Sequence, residues 1–206
     1  MGAPLQDWLE YLNKHRKKPQ PLKEGYLHPE DNAVYEGIKE MFHLDVFPDQ
    51  SLRGAVSHDA VFYLKGIWLE EFIWGLLNCN AKELGITEVY HSVVIRRYSA
   101  RKSDGSDNEF DVVFMKKGTL HIVECKSGFQ EKMQENLYKL FAVVKGLGGL
   151  RVKSHLVSNS PQMENDATGN RAKLFAIHTL SPQTILDLAA HPDDPALLRK
   201  AFDLND

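Results

Sequence analysis

The sequence predicts a mixed α/β domain whose core runs helix, strand, two-stranded hairpin, helix, strand, preceded by a small helical arm. Three observations carry this. The run Val61–Leu77 is apolar on nearly all sides at helical spacing, as a core helix should be. Two β-type runs, Phe110–Met115 and Leu120–Cys125, flank the turn Lys116-Lys117-Gly118-Thr119, the pattern of a hairpin. The stretch Gln130–Gly146 then places Met133, Leu137, Leu140, Phe141 and Val144 on one side of a helix. Helices on both sides of a mixed sheet follow from that order.

Composition sets the bounds. At 206 residues the chain fits one domain with an appendage, or two small ones. Hydrophobic residues at 43% and charged residues at 26% are ordinary for a soluble protein. A net charge of −3 excludes a wholly basic nucleic-acid binder, so any such site must be a local patch. Cys79 and Cys125 both lie in apolar segments and are expected as buried thiols of a reducing cytosol. No apolar run reaches membrane-spanning length and no signal peptide opens the chain, so the expectation is a cytoplasmic protein with no membrane partner. Gly2 is not a myristoylation site, because Gln6 stands where Ser or Thr is required.

In chain order, residues 4–16 carry Leu5, Trp8, Leu9 and Leu12 on one face, a short amphipathic helix ended by Lys17-Lys18-Pro19-Gln20-Pro21. A second helix is expected over Asp31–Phe42, and Leu44–Ser57 is broken by Pro48 and Gly54 as a linker would be. Residues 1–57 thus form an arm and linker, and residues 58–206 the main domain. Within the core helix, Glu70 lies between Tyr63, Gly66, Trp74 and Leu77 on the wheel. A carboxylate there is costly unless paired or metal-linked. A strand is expected over Glu88–Ser99 and a polar loop over Ala100–Asp107. After the hairpin and the 130–146 helix come a strand at Arg151–Ser158, a polar loop at Asn159–Asn170 and a short strand at Leu174–Leu180. Terminal helices follow at Pro182–Ala190 and Pro195–Phe202.

The hairpin carries the chemistry. Whether the loop is two residues or four, paired positions have numbers summing to 235, which sets Asp111 opposite Glu124, β-carbons about 5 Å apart. Lys126 shares the face of Glu124, and Cys125 points the other way. Two carboxylates so placed repel by roughly 3 kcal/mol at an effective dielectric near 20. Such a pair survives only if one is protonated or a cation lies between them. Two hard oxygen ligands with open positions suit Mg²⁺ or Mn²⁺. The plain alternative is a salt-bridge ladder on a half-exposed sheet. The nine histidines show no zinc-type spacing.

Asp111, then Glu124-Cys125-Lys126 on the next strand, with Glu70 in the preceding helix, resembles the PD-(D/E)xK nuclease superfamily. Gly66-Ile-Trp-Leu-Glu70, Asn108-Glu-Phe-Asp111, Leu120-His-Ile-Val-Glu124-Cys-Lys126-Ser-Gly, Leu137-Tyr-Lys-Leu140 and Gly148-Gly149 narrow the likeness. They resemble the nuclease domains of CRISPR ancillary effectors, in which a Rossmann-fold sensor of cyclic oligoadenylate is joined to the nuclease. The likeness covers roughly residues 58–180. The 206 residues leave no room for that sensor, so either a truncated chain or a free-standing nuclease is expected.

The resemblance implies a restriction-endonuclease-like mixed sheet and metal-dependent hydrolysis of phosphodiester bonds in DNA or RNA, in CRISPR-type antiviral defence. It implies catalytic Glu70, Asp111, Glu124 and Lys126. Asp111, Glu124 and the Cys125 main-chain carbonyl would hold Mg²⁺ or Mn²⁺, with Glu70 joining directly or through water. Lys126 would orient the attacking water or stabilise the transition state. Gln134, Tyr138, Lys139 and Arg97 are candidate nucleic-acid contacts. A homodimer and a separate regulatory or sensor subunit are the expected protein partners. Two other readings stay open: a latent or inactive nuclease fold serving nucleic-acid binding or assembly, and a restriction or junction-resolving DNA endonuclease.

Overall fold

The computed structural model describes residues 20–21, 45–46, 52–53, 55–56, 66–95, 108–127, 133–147 and 151–204. The chain divides into two units, Met1–Trp68 and Leu69–Asp206. Within the first, Gln20–Pro21 pairs antiparallel with Ala55–Val56, and Asp45–Val46 with Leu52–Arg53. The stretch read as a linker therefore carries short strands. The helices expected over residues 4–16 and 31–42 lie outside the described residues, as do Arg97 and the loop after Ser99.

Among the described residues, the second unit has a five-stranded mixed sheet and six α-helices. Its strands are β1 (Ile86–Ile95), β2 (Asn108–Lys116), β3 (Thr119–Lys126), β4 (Val152–Ser158) and β5 (Ile177–Leu180), lying in that order. The first three are antiparallel neighbours; β4 joins β3, and β5 joins β4, in parallel. Its helices are α1 (Trp68–Cys79), α2 (Ala81–Leu84), α3 (Met133–Gly146), α4 (Asp166–Leu174), α5 (Pro182–Ala190) and α6 (Pro195–Ala201). A parallel β3–β4 pair needs a long crossover, and α3 supplies it.

The β2–β3 turn has Lys117 at φ 48° and Gly118 at φ 73°. Two successive left-handed residues match the right-handed twist of the flanking strands, so the loop is the two-residue form. The ladder runs from Lys116↔Thr119 to Val112↔Val123, in the register that sets residue 111 opposite 124. One core layer joins Phe110, Val113, Ile122, Leu156 and Ile177 of the sheet to Met133, Leu137 and Leu140 of α3 and Ala172 of α4. Each large apolar side chain buried there contributes about 1.5–3 kcal/mol.

Three expectations change. The 159–170 stretch is not a loop: Ser160 caps a short 3₁₀ turn at Pro161–Glu164, and the Asn165 side chain accepts from Ala167 N–H to start α4. Only Thr168 and Ala172 of α4 are buried, so its apolar stripe is too thin to be read as periodicity. The core helix is one-sided: Leu69, Ile73, Leu76 and Leu77 are buried, whereas Trp74 is 36% exposed. Cys79 is exposed, since its position on α1 falls on the outward side; Cys125 is buried as expected.

A buried imidazole stack crosses the middle of the sheet. His121 Nδ1 meets His155 Nε2 at 3.0 Å, and Phe114 stacks on His121 at 4.4 Å. Burial, then Lys153 and Lys116, lowers the His121 pKa to about 4; burial and the neighbouring histidines push His155 well below the ordinary value. A base whose pKa is lowered on folding binds more protons when unfolded, so the stability contributed by this pair falls as pH drops from about 6.5 towards 4. His121 alone accounts for up to about 3 kcal/mol of that loss. A His121→Leu/His155→Leu variant is expected to gain stability relative to wild type as pH drops from 7 to 4, as followed by chemical unfolding of both proteins.

Candidate active site

Glu70 sits in the first turn of α1, Asp111 in β2, and Glu124 and Lys126 at the end of β3. The four form one electrostatic cluster: Glu124, Lys126 and Glu70 all act on Asp111, and Lys126 and Glu124 act on Glu70. The β2–β3 ladder reaches Val112↔Val123. One step further on, the Asp111 carboxylate takes the Cys125 N–H at 2.6 Å. Lys126 Nζ lies 2.5 Å from Glu124 Oε1 and donates to the Cys125 carbonyl at 3.2 Å. Ser158 of β4 donates to the Lys126 carbonyl at 2.7 Å, anchoring the end of β3.

Charge explains these contacts. Burial, then the facing Glu124, raises Asp111 from 3.8 to about 7, against the opposing pull of Lys126 and the Cys125 N–H. Burial also raises Glu70, while His91 and Lys126 act to lower it. Burial alone would lower Lys126, but Glu124 and Asp111 outweigh it and hold the ammonium above its ordinary value. Lys126 therefore stays protonated, and one cation spans Glu124 and the Cys125 carbonyl.

Those are two of the oxygens expected to hold a metal. Among the described residues no group of three or more His, Cys, Asp or Glu side chains is placed to take a metal ion. The candidate donors are two carboxylates and a main-chain carbonyl, a hard oxygen set that fits Mg²⁺ or Mn²⁺. The Lys126 ammonium already contacts two of them, Glu124 Oε1 and the Cys125 carbonyl.

Gln134, Tyr138 and Lys139 are exposed on α3, and Tyr138 carries the Arg171 guanidinium 6.0 Å from its ring centre. Arg171 falls between the expected loop, 159–170, and the expected strand, 174–180, and the sequence assigned it no role. His91 was also missed: its Nε2 lies 3.7 Å from Glu70 Oε2. An imidazole in mid-strand with no spacing to another ligand gives no sequence signal.

The family model described as Card1-like, endonuclease domain, matches residues 57–198, which include Glu70, Asp111, Glu124 and Lys126. The chain belongs to this Card1-like endonuclease-domain family. Protein VC1899 from Vibrio cholerae is 24% identical with a TM-score of 0.72, covering 98% of this chain and 50% of that one. Can2 from Sulfobacillus thermosulfidooxidans, solved in complex with cyclic tetra-adenylate, is 20% identical with a TM-score of 0.68, covering 97% and 51%. At these identities the likeness is one of fold, and the Card1-like chain spans about half the length of each. No curated protein matches it in sequence.

A carboxyl that titrates near 7 when folded and near 3.8 when unfolded binds more protons in the fold. The stability that Asp111 contributes to metal-free protein is therefore lost as pH rises from about 4 to about 7, opposite in sign to the histidine contribution over the same range. Asp111→Asn is expected to stabilise the metal-free protein at pH 8 by up to about 4 kcal/mol, the equivalent of that shift. The gain should vanish near pH 4, as followed by denaturant unfolding in a chelator.

Proposed function

We propose that this chain is a metal-dependent endonuclease that hydrolyses phosphodiester bonds of DNA or RNA, in CRISPR-type defence. The observation that carries the reading is the convergence of Glu70, Asp111, Glu124 and Lys126 at the open end of one hairpin. Family membership supports the reaction class, and the fold is shared with Can2, a protein solved in complex with cyclic tetra-adenylate.

Asp111, Glu124 and the Cys125 carbonyl would hold Mg²⁺ or Mn²⁺, with Glu70 completing the acidic set. Bound there, the ion would act as a Lewis acid on the phosphate and lower the pKa of the attacking water. Lys126 would release Glu124 and the carbonyl and present its ammonium to the negative charge that develops on the phosphoryl oxygens. On α3, Lys139 would meet the nucleic-acid backbone and Tyr138 a base.

The Lys126 contacts also favour a resting state: while the ammonium spans Glu124 and the Cys125 carbonyl, two donor oxygens are engaged. Control by a sensor region or regulatory subunit that shifts this balance belongs to the same proposal.

The test is cleavage of single-stranded and duplex DNA and RNA in Mn²⁺. Wild type should cut at least one substrate, and chelation should stop it. Glu124→Ala and Lys126→Ala should each lower the rate by a factor of 10² or more while circular dichroism and melting show the fold intact. Undiminished cleavage by either variant would defeat the reading.

A further inference from the structure

Beside the four expected groups stands an imidazole with no assigned role. His91 lies on β1, half-buried between exposed Tyr90 and Ser92. Its Nε2 is buried and has no hydrogen-bond partner among the described residues. That atom faces Glu70 Oε2 at 3.7 Å, within ion-pair reach but longer than a hydrogen bond. A buried ring nitrogen without a partner carries a desolvation cost unless its neighbour compensates, and the neighbour here is a carboxylate.

Local structure fixes the ring from two sides. Its Nδ1 meets the Ser92 hydroxyl at 3.1 Å. A hydroxyl that donates to Nδ1 leaves the ring proton on Nε2, aimed at the carboxylate. Trp74, one helical turn beyond Glu70 on α1, contacts the same ring with centroids 6.2 Å apart. Ser92 itself has φ 53°, a left-handed conformation that a non-glycine residue adopts at a cost of about 1 kcal/mol or more. It stands opposite Asp111, between the pairs His91↔Val112 and Val93↔Phe110. One distortion in β1 thus sits between the imidazole that faces Glu70 and the carboxylate that faces Glu124.

We propose that His91 is a positioning residue for Glu70: clamped by Ser92 and Trp74, it holds the Glu70 carboxylate towards the Asp111–Glu124 pair. This rests on the nuclease reading above. Partners that orient carboxylates at a metal site in this way are typically worth 10–100-fold in metal affinity. The competing role is packing alone, in which an aromatic ring of similar size against Trp74 would serve equally well.

Full-length His91→Phe and His91→Gln separate the two roles. Phe keeps the ring contact with Trp74, whereas Gln keeps a donor near the position of Nε2. Mn²⁺ binding is measured by calorimetry on chelator-treated protein, alongside melting temperature and cleavage, with wild type and Glu124→Ala as references. His91→Phe is expected to melt like wild type and bind Mn²⁺ about tenfold more weakly, and His91→Gln to recover most of that loss. Wild-type affinity in His91→Phe, or no recovery in His91→Gln, overturns the positioning role while the nuclease reading stands. Wild-type protein that neither binds Mn²⁺ nor cleaves overturns both.

Discussion

Two carboxylates set face to face, Asp111 on β2 and Glu124 on β3, are the constraint on which the rest of the site depends. Left alone they would repel by roughly 3 kcal/mol. The structure relieves this with three devices at once. Lys126 pairs with Glu124, the Cys125 N–H bonds to Asp111, and burial beside Glu124 raises Asp111 to about 7. A hairpin that only stabilised the fold would not need such compensation, because an apolar pair at these positions would pack without it.

The surrounding fold keeps that tension in place. Two left-handed turn residues, Lys117 and Gly118, lock the register. The α3 crossover lets β4 run parallel to β3, so that Ser158 anchors the carbonyl of Lys126. On the other side β1 brings His91 within ion-pair reach of Glu70. The groups of the site therefore hang on four elements, Glu70 on α1, His91 on β1, Asp111 on β2 and both Glu124 and Lys126 on β3, and the close-packed sheet holds them in fixed relation.

Much of this was legible in the sequence because it follows from short-range rules. Strand alternation and turn length were enough to set Asp111 opposite Glu124 and Lys126 beside it, and Pro182 and Pro195 marked the starts of α5 and α6. What was not legible depends on tertiary placement. α4 has strong caps but almost no apolar stripe, so periodicity missed it. The outward turn of Trp74 and Cys79 depends on which side of α1 meets the sheet. The Cys125 N–H bond and the approach of His91 to Glu70 need three dimensions, since neither has a spacing in the chain that announces it.

The central claim is that the Lys126 ammonium and a divalent cation compete for the same oxygens, Glu124 Oε1 and the Cys125 carbonyl. It is tested most directly by calorimetric Mn²⁺ binding to chelator-treated wild type and Lys126→Met. Removing the ammonium frees both oxygens, so the predicted result is that Lys126→Met binds Mn²⁺ at least as tightly as wild type yet fails to cleave. Loss of Mn²⁺ binding in a folded Lys126→Met protein would contradict it.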